Sequence, residues 1–129
     1  AKMVILAFPG MGKTPLAKRN PKYLDLDFGF FRAAHGVAKE DEERLLVPFA
    51  KLVKLYESEG YVVLTNEPKL MKHLKVSRVL LPENHLYSAR KLGVSVSKTT
   101  EWVAGWRESA KASNIPVTYV KGGLEYYLK

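Results

Sequence analysis

The chain has 129 residues, 47% of them hydrophobic and 26% charged, which is the size and balance of one folded domain (residues 1–129) and excludes a disordered or fibrous segment. It has no cysteine, which excludes disulfides and thiolate metal sites within this sequence. The formal net charge of +8 favours anionic partners such as phosphates, nucleotides or nucleic acid, and no apolar run approaches a membrane span.

The charge is uneven: residues 40–59 hold six of the thirteen acids and only three of the twenty-one bases. The opening residues lack the long apolar core and cleavage site of a signal peptide, so a cytoplasmic protein without a membrane partner is expected. Residues 3–8 form a continuous apolar run with β-branched members, the pattern of a strand buried on both faces. Pro9-Gly10-Met11-Gly12 breaks it. A short helix is predicted over residues 13–19, with Pro15 tolerated in its first turn and Asn20-Pro21 as its stop. Residues 23–27 alternate in type and read as a second strand, and residues 28–32 as the loop after it.

Residues 40–59 read as helical, with acids crowded into the first turn, an apolar face of Leu45, Phe49, Leu52 and Tyr56, and Pro48 as a kink or break. Strands are predicted at residues 61–65, 78–81 and 116–120. Helices are predicted at residues 68–74 and 83–92, and from Thr99 or Thr100 to about residue 113, with an irregular link over residues 94–98 and a tail after residue 120. Trp102 and Trp106 are expected to pack the last helix on the sheet. Strands alternating with helices imply a five-stranded, mainly parallel sheet with helices on both faces. Ligands of such sheets sit at the carboxyl ends of the strands, so residues 9–14, 27–32, 65–69 and 82–90 are expected to line one cleft.

Residues Ala7 to Thr14 have the spacing of a Walker A loop, with Ala in the first position. Gly10 and Gly12 let the backbone curl so that successive N–H groups point at one anion. Pro9, Gly10, Met11, Gly12, Lys13 and Thr14 are therefore expected to hold the polyphosphate of ATP or another nucleoside triphosphate. Lys13 would reach the β- and γ-phosphates and the Thr14 hydroxyl would ligate Mg²⁺. The motif follows a buried strand and opens a helix, the context it requires.

Asp25 and Asp27 lie two residues apart on one strand face, in a structure type that disfavours Asp. Asp25 is expected to support the metal, and Asp27 to orient the acceptor hydroxyl or take its proton. With these two carboxylates, the loop Phe8-Pro9-Gly10-Met11-Gly12-Lys13-Thr14 resembles that of the small P-loop kinases, in particular the shikimate and gluconate kinase branch, where a D-x-D pair ends the second strand. The Pro-Gly-x-Gly-Lys core also resembles the polynucleotide 5′-kinases, and small P-loop proteins of bacteriophages are a further likeness. The resemblance implies a P-loop NTPase fold and phosphoryl transfer to a nucleotide, a nucleic-acid 5′ end or a small hydroxyl metabolite. The motif likeness covers residues 3–32. The third strand ends in Thr65-Asn66 instead of an acid.

Arg90, on the helix after strand four, stands where a lid would bring a cation to the transition state, and Arg32 stands where an acceptor's anion would bind. The net charge leans toward a phosphorylated acceptor. Phe28, Phe30 and Phe31 either stack an acceptor base or sugar or seal the core under the cleft. His35, His73 and His85 show no metal-ligand spacing. Two other functions fit the same residues: a nucleotide-binding regulator or degenerate kinase without transfer, and a nucleic-acid-binding module using the basic face.

Overall fold

The computed structural model describes residues 3–124. Five strands form one all-parallel sheet: β1 (Met3–Ala7), β2 (Tyr23–Leu26), β3 (Val62–Thr65), β4 (Arg78–Pro82) and β5 (Val117–Val120), in the order β2-β3-β1-β4-β5. The helices are α1 (Lys13–Arg19), α2 (Phe28–Ala34), α3 (Leu46–Ser58), α4 (His85–Leu92) and α5 (Val96–Ala112). Two 3-10 segments, Lys39–Leu45 and Pro68–Lys72, precede α3 and β4. Among the described residues, no helix is long and apolar enough to cross a membrane.

The three central strands explain the sheet's cover. Successive strand residues point to opposite faces. Val4, Ile5, Leu6 and Ala7 of β1 and all four residues of β3 are nevertheless buried, as are the last four of β4. Both faces are therefore covered. The sheet core continues into Phe49 and Val53 of α3 and Val103, Trp106 and Ala110 of α5. Parallel register sets Leu6 of β1 beside Thr65 of β3, and Leu26 of β2 beside the same Thr65. The carboxyl ends of these strands consequently share one edge. The chain leaves β1 toward β2 at one side, then returns past β1 to β4 and β5. That reversal opens a crevice at the carboxyl end of β1.

Several expectations change, each for a local reason. The acid-rich stretch forms a 3-10 segment, and α3 starts only at Leu46. A proline clashes with the carbonyl four residues before it, so an α-helix cannot run through residues 44–48. Restarting at Leu46 puts Pro48 in the first turn, where its missing N–H has no helical acceptor to lose. Residues 68–74 give a 3-10 segment that ends at Lys72. Residues 28–32 are helical, because the Asp27 carboxylate caps α2 by accepting from the Phe30 N–H at 2.9 Å. The supposed link over residues 94–98 is mostly helix: the Ser95 hydroxyl caps α5 by accepting from the Lys98 N–H at 3.0 Å. Thr99 is thereby a buried helical residue whose hydroxyl donates to the Ser95 carbonyl at 3.1 Å.

Trp106 packs its ring edge against Phe8, with centroids 5.4 Å apart. Trp102 is 41% exposed and lies under the Lys98 ammonium, so only one tryptophan reaches the sheet. The expected tail falls partly outside the described residues; Lys121 to Leu124 follow β5, and Leu124 is fully buried.

Replacing Pro48 tests the helix start. A proline inside a helix costs about 3 kcal/mol, whereas one in the first turn costs little. Pro48→Ala is expected to change the urea-unfolding free energy by less than about 0.5 kcal/mol. A gain near 3 kcal/mol would place the residue mid-helix.

Candidate functional site

The β1–α1 loop begins where the central strand can no longer continue. The Phe8 N–H still bonds to the Leu80 carbonyl of β4 at 3.0 Å, and Pro9 then offers no donor. Gly10 and Gly12 take φ values of +82° and +89°, a region that side chains disfavour. At Gly10 a Cβ would make only ordinary contact with Leu92 of α4, at 3.5 Å, so the backbone angle and not space calls for glycine. The loop is anchored from the far side by the Leu124 N–H, which donates to the Met11 carbonyl at 3.1 Å. Among the described residues, the main-chain N–H groups of Gly10, Met11, Gly12, Lys13 and Thr14 meet no protein acceptor. The curled loop therefore keeps its donors available to an anion.

Lys13 opens α1 and is only 8% exposed. Its ammonium donates to the Ala7 carbonyl at 3.4 Å, a long bond for a buried charge. Burial lowers its pKa below the usual lysine value, and the nearby Asp25 and Asp27 carboxylates act in the opposite direction. An ammonium in this position gains from any anion that settles on the loop.

Thr14 and Asp25 meet across the sheet edge. The Thr14 hydroxyl donates to Asp25 Oδ2 at 2.6 Å, joining α1 to β2. Asp25 Oδ1 is buried without a hydrogen-bond partner among the described residues, and so is Thr65 Oγ1 at the end of β3. Each orphaned oxygen costs about 1–3 kcal/mol, and Asp25 lines a cavity from which a ligand or water would relieve it. Among the described residues, no group of three or more His, Asp or Glu is placed to cage a metal. A hydroxyl and a carboxylate with a spare oxygen are instead the set that suits Mg²⁺ arriving with phosphate and water ligands.

Asp27 stands beside this pair and faces solvent. Its Oδ2 accepts from the Asn66 amide nitrogen at 3.3 Å, while Asn66 Oδ1 accepts from the Phe28 N–H at 3.1 Å. Asn66 thus clamps the carboxylate and the first turn of α2 together. It occupies the end of β3 where an acid is missing. Its role was not readable from sequence, because the pairing of β2 with β3 is a tertiary fact.

Cavities flank the loop, and two of them bear on its chemistry. One of about 250 Å³ runs along Gly10, Met11 and Gly12 and is closed by Tyr87, Lys91 and the segment Gly122–Leu124. That segment follows β5 and so lies at the fifth carboxyl end, which the expected cleft omitted. The other cavity, about 650 Å³, has Thr14, Asp25 and Asp27 at its polar end and Leu26, Phe30, Phe31, Phe49 and Leu52 among its walls. Phe28 does not join them; it is buried against Phe49. Of the three phenylalanines, Phe28 thus seals the core, while Phe30 and Phe31 line the cavity.

The structure brings the loop residues, Asp25 and Asp27 together and leaves both arginines aside. Arg32 Nη1 donates to the Val37 carbonyl at 3.1 Å, and its Nε lies 3.6 Å from Glu42. Arg90 is exposed on α4 and lines neither cavity; its neighbour Lys91 does. One helical step separates the two side chains by about 100°, which decides the matter. His85 bonds to the Thr100 hydroxyl at 2.9 Å, and the His35 ring lies tilted against Phe31 with centroids 4.3 Å apart. No protein-family model matches the chain, and no curated protein matches it.

Proposed function

We propose that this chain is a small P-loop phosphotransferase that uses a nucleoside triphosphate, ATP or another, with Mg²⁺. The observation that carries the reading is a buried Lys13 beside unpaired loop amides at the carboxyl edge of a parallel sheet, with Thr14 bonded to Asp25. On this reading the fold is that of the P-loop NTPases, and the likeness to shikimate, gluconate and polynucleotide 5′-kinases is one of mechanism as well as motif.

The loop amides of Gly10 to Thr14 and the Lys13 ammonium hold the β- and γ-phosphates. Thr14 and Asp25 hold Mg²⁺, which when bound neutralises charge on the phosphate oxygens. The cavity along Gly10–Gly12 continues from the loop and takes the remainder of the nucleotide. Asp27, fixed by Asn66 and the Phe30 N–H, faces the larger cavity and orients or deprotonates the acceptor hydroxyl there. Lys91 replaces Arg90 as the cation nearest the loop on α4.

A second reading is a nucleotide-binding regulator. It is favoured by one observation: among the described residues, no arginine lines either cavity. Phosphoryl transfer usually recruits one to the equatorial oxygens.

Two measurements test these readings. Lys13→Met keeps the aliphatic stem and removes a desolvated charge, so the ligand-free protein should melt no lower than wild type. Wild type with Mg-ATP at a hundred times its Kd gains about 2.7 kcal/mol of stability, seen as a rise in Tm, and this gain should vanish in the variant. An undiminished ATP effect in Lys13→Met would remove the reading. Asp27→Asn retains the helix cap, since Asn caps as well as Asp. It should bind ATP normally and lose about 10²–10⁴-fold in transfer of labelled phosphate to an acceptor. Absence of any labelled product from wild type, across nucleosides, 5′-hydroxyl oligonucleotides and small alcohols, would favour the regulator.

A further inference from the structure

We propose that the larger cavity selects a hydroxyl-bearing acceptor with an apolar, ring-sized body and a neutral or positive charge, and rejects a phosphorylated or carboxylated one. The inference rests on the phosphotransferase reading for the fate of the hydroxyl and adds the substrate class. It reverses the expectation drawn from net charge.

The cavity's volume of about 650 Å³ lies within the range of small-molecule sites. Its body is apolar and preformed: Phe31 and Phe49 hold each other with ring centroids 5.0 Å apart. Phe30 stands at the mouth and is 75% exposed, so it has a full ring face to offer an incoming molecule. The polar end carries two carboxylates and one hydroxyl. Among the described residues, no lysine, arginine or histidine lines it.

Arg32 and Lys13 have other partners. Arg32, on the same helix as Phe30 and Phe31, is bound to Glu42 and the Val37 carbonyl. Both carboxylates act on Lys13, but Lys13 does not line this cavity, and on the proposed reading its ammonium serves the nucleotide's phosphates. On the proposed reading Mg²⁺ pairs with Asp25, so an anionic group on the acceptor would meet the Asp27 carboxylate with no protein cation among the described lining residues, the arrangement by which binding sites exclude wrong partners. A neutral or cationic body meets none of that cost.

The hydroxyl of such a molecule, lodged at the polar end, faces Asp27 and the loop. Its oxygen forms a bond to the γ-phosphorus of the nucleoside triphosphate while the bond from that phosphorus to the β–γ bridging oxygen breaks. The hydroxyl proton passes to the Asp27 carboxylate, and the nucleoside diphosphate leaves with the bonding pair.

Three aromatic alcohols of matched size test the charge rule on the full chain: phenylalaninol as cation, 3-phenyl-1-propanol as neutral molecule and 3-phenyllactate as anion. Binding is followed by NMR shifts of the Phe30 and Phe31 rings and the Leu52 methyls. Phenylalaninol and phenylpropanol should move these signals at millimolar concentration, with phenyllactate at least about tenfold weaker. Asp27→Asn should narrow the gap between cation and anion several-fold. Phe30→Ala removes an exposed ring and so leaves the fold intact; it should weaken both favoured ligands several-fold and leave the ATP-induced rise in Tm unchanged. Phenyllactate binding as tightly as the others, or silence from all three, overturns the proposal. An ATP effect without any alcohol binding would remove this inference and keep the loop reading. Charge-ranked binding without an ATP effect would keep the ligand class and remove the phosphotransferase.

Discussion

A lysine ammonium held almost out of solvent at the end of the central strand is the constraint on which the rest of the site turns. Burial weakens its hold on the proton, and a single long bond to the Ala7 carbonyl does little to compensate. The chain tolerates this because Asp25 and Asp27 lie close enough to act on the same charge, and because the sheet behind it is well packed. The two glycines, the free loop amides and the orphaned Asp25 oxygen are further departures from an ordinary strand–helix turn. Such departures cluster where a ligand completes the structure.

The loop also divides space. On one side it borders a cavity closed by α4 and by the segment after β5; on the other, Thr14 opens into the cavity under α2 and α3. A donor and an acceptor approaching from these two sides would meet over Thr14, Asp25 and Asp27. Among the described residues, the chain's basic surplus does not line the second space. Arg32, on the same helix as Phe30 and Phe31, is spent on Glu42, an acid from the 3-10 segment.

Comparing the elements expected with those observed shows which signals are local. Residues 13–19 form a helix with the expected bounds, because Asn20-Pro21 ends it within the chain itself. The strands shift by a residue or so at their ends. Two of the errors fall where the deciding partner is a capping side chain. Ser95 and Asp27 each accept an N–H three residues on and turn an expected link or loop into helix. These signals are local in principle, but Ser and Asp are common in loops too, and only the geometry distinguishes the uses. Trp102 and Arg90 failed for another reason: each lies on its predicted helix but points away from the expected neighbour.

Periodicity, turn residues and loop spacing were sufficient for the strand–helix alternation, the parallel sheet and the cluster of Lys13, Thr14, Asp25 and Asp27 at one edge. They suffice because period and backbone freedom are properties of neighbouring residues. Strand order was beyond their reach, and with it the meeting of Asp27 with Asn66 and of Met11 with Leu124. The same holds for the pairing of Arg32 with Glu42 and for the charge of the larger cavity. Those depend on which distant segments pack together and on where each side chain points once they do, and neither is written in the spacing of residues along the chain.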